Sequence, residues 1–158
     1  MLSPSLLKSF AEIVGPENVF TDKADLVAYS YDAAVLDAAV RGAVLRPAAT
    51  EALGAAVRLC NENRLPLTVR GAGTNLSGGT IPDAGGVVIV TNGLNRILEI
   101  NEADMYARVE PGVVTARLAA AVEAKGLFYP PDPGSQSVST LGGNVAENAG
   151  GPRCLKYG

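Results

Sequence analysis

The chain has 158 residues, 47% of them hydrophobic and 18% charged, with a formal net charge of −3 and no histidine. That length is enough to bury a real core, and the composition excludes disorder. The acidic balance leaves no footprint for nucleic acid, and no apolar stretch approaches a membrane span. The missing histidine removes the Ser-His-Asp triad, His-based zinc sites and the commonest general base, as well as histidyl attachment of a cofactor. Cys60 and Cys154 form no metal-ligand spacing. The expectation is a reduced, cytoplasmic chain without a signal peptide, with no catalytic side chain and no metal ligand assigned.

Ser3 followed by Pro4 opens a helix striped by Leu6, Phe10 and Ile13 and stopped at Gly15-Pro16. Thr21-Asp22 starts a second helix, to about Tyr31. A short strand is predicted around Val40 to Arg46. Thr50 then caps a helix carrying Leu53, Val57 and Cys60 on one face, which makes Cys60 a core thiol. A strand at Leu67–Arg70 completes a β-α-β unit, and a crossover of that length favours parallel pairing.

This unit delivers the loop Arg70-Gly71-Ala72-Gly73-Thr74-Asn75-Leu76-Ser77-Gly78-Gly79-Thr80. Glycine admits positive φ and close approach of the backbone to a ligand. Successive N–H groups in such a turn form an anion-binding concavity, and Thr74, Ser77 and Thr80 add hydroxyls. The loop reads as a phosphate or pyrophosphate cradle, against the alternative of a glycine-rich surface turn. A P-loop would need Lys where Gly79 stands, and a Rossmann fingerprint would need Gly or Ala where Leu76 stands.

Gly86–Thr91, Ile97–Ile100 and Tyr106–Glu110 read as a three-stranded meander. Val114, Leu118 and Val122 stripe the next helix, which ends near Gly126. Then comes a second unusual stretch, Tyr129-Pro130-Pro131-Asp132-Pro133-Gly134-Ser135. It is followed by Thr140-Leu141-Gly142-Gly143-Asn144-Val145-Ala146-Glu147-Asn148-Ala149-Gly150-Gly151. Thr140 is expected to cap a short helix whose Gly142 and Gly143 expose N–H groups as a second anion seat. Small residues around Ala146 and Gly150 leave room for a flat ring.

The Arg70–Gly79, Pro130–Ser135 and Thr140–Gly151 motifs together resemble the FAD-binding domain of the vanillyl-alcohol-oxidase/p-cresol-methylhydroxylase (PCMH) type. Within it, the likeness is greatest to the branch of glycolate oxidase flavin subunits and D-lactate dehydrogenases. The resemblance implies an α+β, PCMH-type FAD-binding fold with non-covalent FAD held between two subdomains. Residues 1–38 are expected as N-terminal helices, 39–85 as the complete first subdomain, and 86–158 as the start of a second, truncated one. Arg70, Gly71, Ala72, Gly73, Thr74, Asn75, Leu76, Ser77, Gly78, Gly79 and Thr80 would hold the pyrophosphate. Pro133, Gly134, Ser135, Thr140, Gly142, Gly143, Asn144, Ala146, Asn148 and Gly150 would lie along the rest of the cofactor.

By the same resemblance, the parent protein oxidises a small 2-hydroxy acid such as glycolate or D-lactate and passes electrons to an accepting subunit or carrier. The family's substrate-binding cap lies beyond the stretch matched here, so residues 1–158 alone are expected to be inactive and prone to self-association. The alternatives are another FAD-linked oxidase or reductase of the same fold, or a non-catalytic scaffold.

Overall fold

The computed structural model describes residues 2–34, 36, 42–82 and 85–157. They pack as two compact units that divide after Gly93.

The first unit opens with α1 (Pro4–Val14), with the Ser3 side chain capping Leu6 N–H and Gly15 closing the helix at φ +89°. A two-residue strand β1 (Val19–Phe20) leads to α2 (Lys23–Ala28), shorter than the sequence pattern suggests. Then follow β2 (Ala43–Leu45), α3 (Thr50–Glu62), β3 (Leu67–Arg70) and β4 (Val87–Val90). Of the strand expected around Val40 to Arg46, Val40 and Arg41 lie outside the described residues.

The four strands form one sheet in the order β1-β2-β4-β3. Two expectations are corrected here. The β-α-β strands β2 and β3 do not pair with each other; each runs parallel to β4, which lies between them. And β4, expected in a meander with the strands that follow, belongs to this sheet instead. The reason is its sequence: Val87-Val88-Ile89-Val90 is apolar on both faces and every residue is buried, as a central parallel strand must be when both faces of its sheet are covered. Leu45, Val87 and Ile89 pack against Phe10, Val14, Ala56 and Cys60 of α1 and α3. Val44, Val88 and Val90 point to the opposite face, against Phe20, Leu26 and Tyr29. Each fully buried large side chain of this kind contributes about 1.5–3 kcal/mol.

The second unit contains the antiparallel pair β5 (Ile97–Asn101) and β6 (Tyr106–Val109). Their turn is fixed by Asn101 Oδ1, which accepts from Asp104 N–H at 2.9 Å. Helix α4 (Thr115–Glu123) lays Leu118 and Val122 with Val113 and Leu141 against Ile97, Ile100, Ala107 and Val109. It ends as expected near Gly126, which takes φ +72° while Leu127 N–H reaches back to Val122 O at 3.0 Å. Two short helices close the unit, α5 (Leu141–Glu147) and α6 (Cys154–Tyr157).

Candidate functional site: two glycine segments

The first segment begins where β3 ends, at the carboxyl edge of the parallel strands, the edge at which open α/β sheets bind ligands. Arg70 is its first residue and is buried. Its Nη1 donates to Tyr31 O at 2.6 Å and to Thr80 Oγ1 at 3.4 Å, and the guanidinium lies 5.7 Å from the Tyr29 ring centre. Burial lowers its pKa, and the nearby Asp32 charge opposes that shift. Arg70 thus ties the loop to the segment after α2.

Asp32, which the sequence reading did not single out, is buried beside the loop. Its Oδ2 accepts from Asn75 Nδ2 at 2.6 Å and from Thr80 Oγ1 at 3.4 Å, and its Oδ1 accepts from Ala34 N–H at 2.8 Å. Asn75 answers through its backbone, its carbonyl taking Ala33 N–H at 3.0 Å. Its Nδ2 also reaches Ser77 Oγ at 3.1 Å, and Ser77 Oγ accepts Gly79 N–H at 3.3 Å. Gly73 and Gly78 have φ of +70° and +77°. A Cβ on Gly73 would collide with the Arg70 guanidinium, and one on Gly78 would come within 2.6 Å of Leu36 Cδ1. Glycine is therefore required at both positions by the fold itself, before any ligand is considered.

With the side chains of Arg70, Asn75 and Thr80 turned to the protein, what the loop offers is backbone. Among the described residues, the N–H groups of Gly73, Thr74, Asn75, Leu76 and Gly78 donate to no protein acceptor. Ala72 and Thr74 are half-buried, and Leu76 and Gly79 are exposed. A run of uncommitted donors at the end of a parallel strand fits a pyrophosphate.

The second segment is more internally committed. Pro133 is buried and Gly134 exposed, and a Cβ on Gly134 would meet nothing within 4 Å. The Ser135 carbonyl takes the N–H groups of Val138 and Ser139 at 2.8 and 2.7 Å. Thr140 is the N-cap of α5, as expected, its Oγ1 accepting Gly143 N–H at 3.4 Å. The N–H groups expected to form an anion seat at this helix end have partners within the protein: Leu141 N–H goes to Val113 O, Gly142 N–H to Pro111 O and Gly143 N–H to Thr140 Oγ1. Gly142 is glycine because it packs on Pro111, whose Cβ would lie 2.7 Å from an added Cβ.

Asn144 is buried, with Nδ2 donating to Thr115 Oγ1 at 2.6 Å, and Thr115 and Ser139 share a hydroxyl–hydroxyl contact of 2.9 Å. Its side-chain NH2 is thereby committed to the core. Ala146 and Asn148 are exposed, and Asn148 closes α5 in the left-handed region at φ 53°. The Gly150 carbonyl takes Asp132 N–H at 3.0 Å, and Asp132 holds Arg153 Nε through Oδ2 at 3.2 Å. Among the described residues no group of His, Cys, Asp or Glu could hold a metal ion. Nor is any helix among them long and apolar enough to cross a membrane.

The parallel sheet, its backbone-lined glycine loop and the second glycine segment define a flavin-binding domain. Residues 42–158 match the FAD binding domain family, and the chain belongs to that family; its cofactor is FAD. Over 158 residues the chain is 45% identical to glycolate oxidase subunit GlcD of Bacillus subtilis (strain 168), covering 100% of this chain and 34% of that protein. It is 39% identical to D-lactate dehydrogenase of Anaerostipes hadrus, covering 99% of this chain and 33% of that protein. The crystal structure of p-cresol methylhydroxylase with substrate bound superposes with a TM-score of 0.75 at 23% identity, over 89% of this chain and 28% of that one. This last likeness establishes the PCMH-type fold. The chain spans about a third of the length of the curated relatives it matches.

Proposed function

We propose that this chain is the FAD-binding portion of a cytoplasmic flavin-dependent oxidoreductase that oxidises a small 2-hydroxy acid of the glycolate or D-lactate type. The observation that carries the reading is the set of uncommitted N–H groups of Gly73, Thr74, Asn75, Leu76 and Gly78 at the carboxyl end of β3, in a chain 45% identical to a glycolate oxidase subunit. In this reading the loop from Gly71 to Thr80 takes the pyrophosphate through its backbone. Gly134, Ala146 and Gly150 offer the small surface along which the rest of the cofactor lies. FAD, when bound, supplies the acceptor for the substrate's hydride; the chain's own residues bind and orient it. The cofactor is held non-covalently, and an electron-accepting subunit or carrier takes the electrons onward. β5 and β6 pair only with each other among the described residues, which leaves edges that a second chain could extend.

The test is to purify the full-length gene product, record its visible spectrum, release the cofactor with acid, and assay a panel of 2-hydroxy acids with a dye as electron acceptor. The expected result is a flavin spectrum, release of intact FAD into the supernatant, and turnover of one or more 2-hydroxy acids. A flavin-free protein, or a flavoprotein that turns over none of the panel, overturns the reading.

A further inference from the structure

The glycine loop is held by a carboxylate that no phosphate would touch. Asp32 lies 43 residues before Asn75 in the chain, yet the two share a 2.6 Å hydrogen bond. The carboxylate accepts from Ala34 N–H and Asn75 Nδ2, and Thr80 Oγ1 lies 3.4 Å from it, its single hydroxyl hydrogen shared with Asn75 Oδ1 at 3.1 Å. Ala33 N–H returns a bond to Asn75 O, and Arg70 fastens Tyr31 O from the other side. The residues from Tyr31 to Ala34 are thus laced to both ends of the loop, at Arg70 and Thr80, and to its middle, at Asn75.

An irregular stretch with several uncommitted backbone donors has many conformations of similar energy. A ligand that must select one of them binds more weakly by the fraction of time that one is populated. Resting on the FAD reading above, we propose that Asp32 is a positioning residue for the cofactor: it holds the Gly71–Thr80 loop in its phosphate-receptive form before FAD arrives. A carboxylate suits this role. Both its oxygens accept, so it satisfies Ala34 on one side and Asn75 with Thr80 on the other, whereas an amide has one acceptor oxygen and would present N–H to a donor. Bonds to an ionised acceptor are also the stronger ones.

The experiment compares Asp32→Asn with Val14→Ala in the full-length protein. Val14→Ala weakens the same unit through its apolar core, away from the loop. The apoproteins are titrated with FAD by flavin fluorescence at a temperature where both are folded by circular dichroism. Asp32→Asn should raise the FAD Kd by about tenfold or more, as a loop receptive a tenth of the time would, while Val14→Ala stays within about twofold of wild type. An unchanged Kd in Asp32→Asn, or an equal rise in Val14→Ala, overturns the proposal. A wild-type protein that binds no FAD overturns the underlying reading instead. Should Asp32→Asn not fold, amide exchange in wild-type apoprotein decides: the Ala33 and Ala34 N–H groups should already be protected, and exchange at the unfolded-chain rate overturns the idea.

Discussion

Glu110 and Arg96 are bound to each other through both side chain and backbone. The Glu110 carboxylate accepts Arg96 N–H at 2.6 Å and the Arg96 guanidinium at 2.7 and 3.0 Å, while Glu110 N–H donates to Arg96 O at 2.9 Å. These contacts fasten the entry of β5 to the exit of β6 in the second unit.

Those hydrogen bonds from Arg96, first the guanidinium and then the backbone N–H, hold the Glu110 pKa below its ordinary 4.5. A carboxylate whose folded pKa is depressed contributes stability that is fully present above the unfolded value. That stability is lost as pH falls from there through the folded value. Glu110→Gln should therefore lower the melting temperature at neutral pH and flatten its decline below about pH 4.5. Melting curves between neutral and acid pH give the two slopes; parallel slopes would mean the pair carries no linkage.

Substitution at Gly73 and at Gly134 should separate fold from ligand. Gly73 has positive φ and the Arg70 guanidinium occupies the place of its Cβ, so Gly73→Ala should cost about 1–2 kcal/mol of stability with or without cofactor. Gly134 faces open space, so Gly134→Ala should leave the apoprotein melting temperature within about a degree. Weaker FAD binding by that variant would then report contact with the ligand directly.

Thr115→Val should destabilise the second unit by about 1–3 kcal/mol. The substitution keeps the shape but leaves Asn144 Nδ2 and the Ser139 hydroxyl without their buried partner. Urea unfolding with an unchanged m-value is the check. A change of less than a few tenths of a kcal/mol would mean that Asn144 finds another acceptor.

Gly142→Ala places a methyl 2.7 Å from Pro111 Cβ and 3.1 Å from its carbonyl oxygen. Overpacking of this kind costs about 1–3 kcal/mol. The loss should appear equally in apoprotein and FAD-loaded protein, since the obstacle is the protein's own backbone. A variant stable as apoprotein but unable to hold FAD would return Gly142 to the ligand-facing set.

The parts of this fold legible from sequence are those whose signals are local. Ser3 before Pro4, Gly15 after Val14 and Thr140 before Leu141 mark helix ends because the capping atoms are a few residues away. The core face of α3 shows in the spacing of its apolar residues, and Cys60 lies on it, buried, with its thiol pKa pushed up by that burial. What was not legible depends on distant partners. The place of β4 between β2 and β3 is set by which strands cover its two edges, although its unbroken apolar run is the mark of a central strand. Asp32 resembles any other acidic residue after a helix until the fold brings Asn75 to it. The glycine at position 142 was visible as a letter, but its cause, Pro111, lies 31 residues earlier in the chain.

The contrast between the two cysteines has a practical consequence. Cys60 is sealed in the core and Cys154 is exposed, so a maleimide dye added to native protein should label one of the two thiols in this stretch. That dye would be anchored on α6, against Gly150, whose added Cβ would lie 2.8 Å from Cys154 Cβ. A label there alters no residue of the glycine segments, so its intensity during an FAD titration tests whether the cofactor lies near α6.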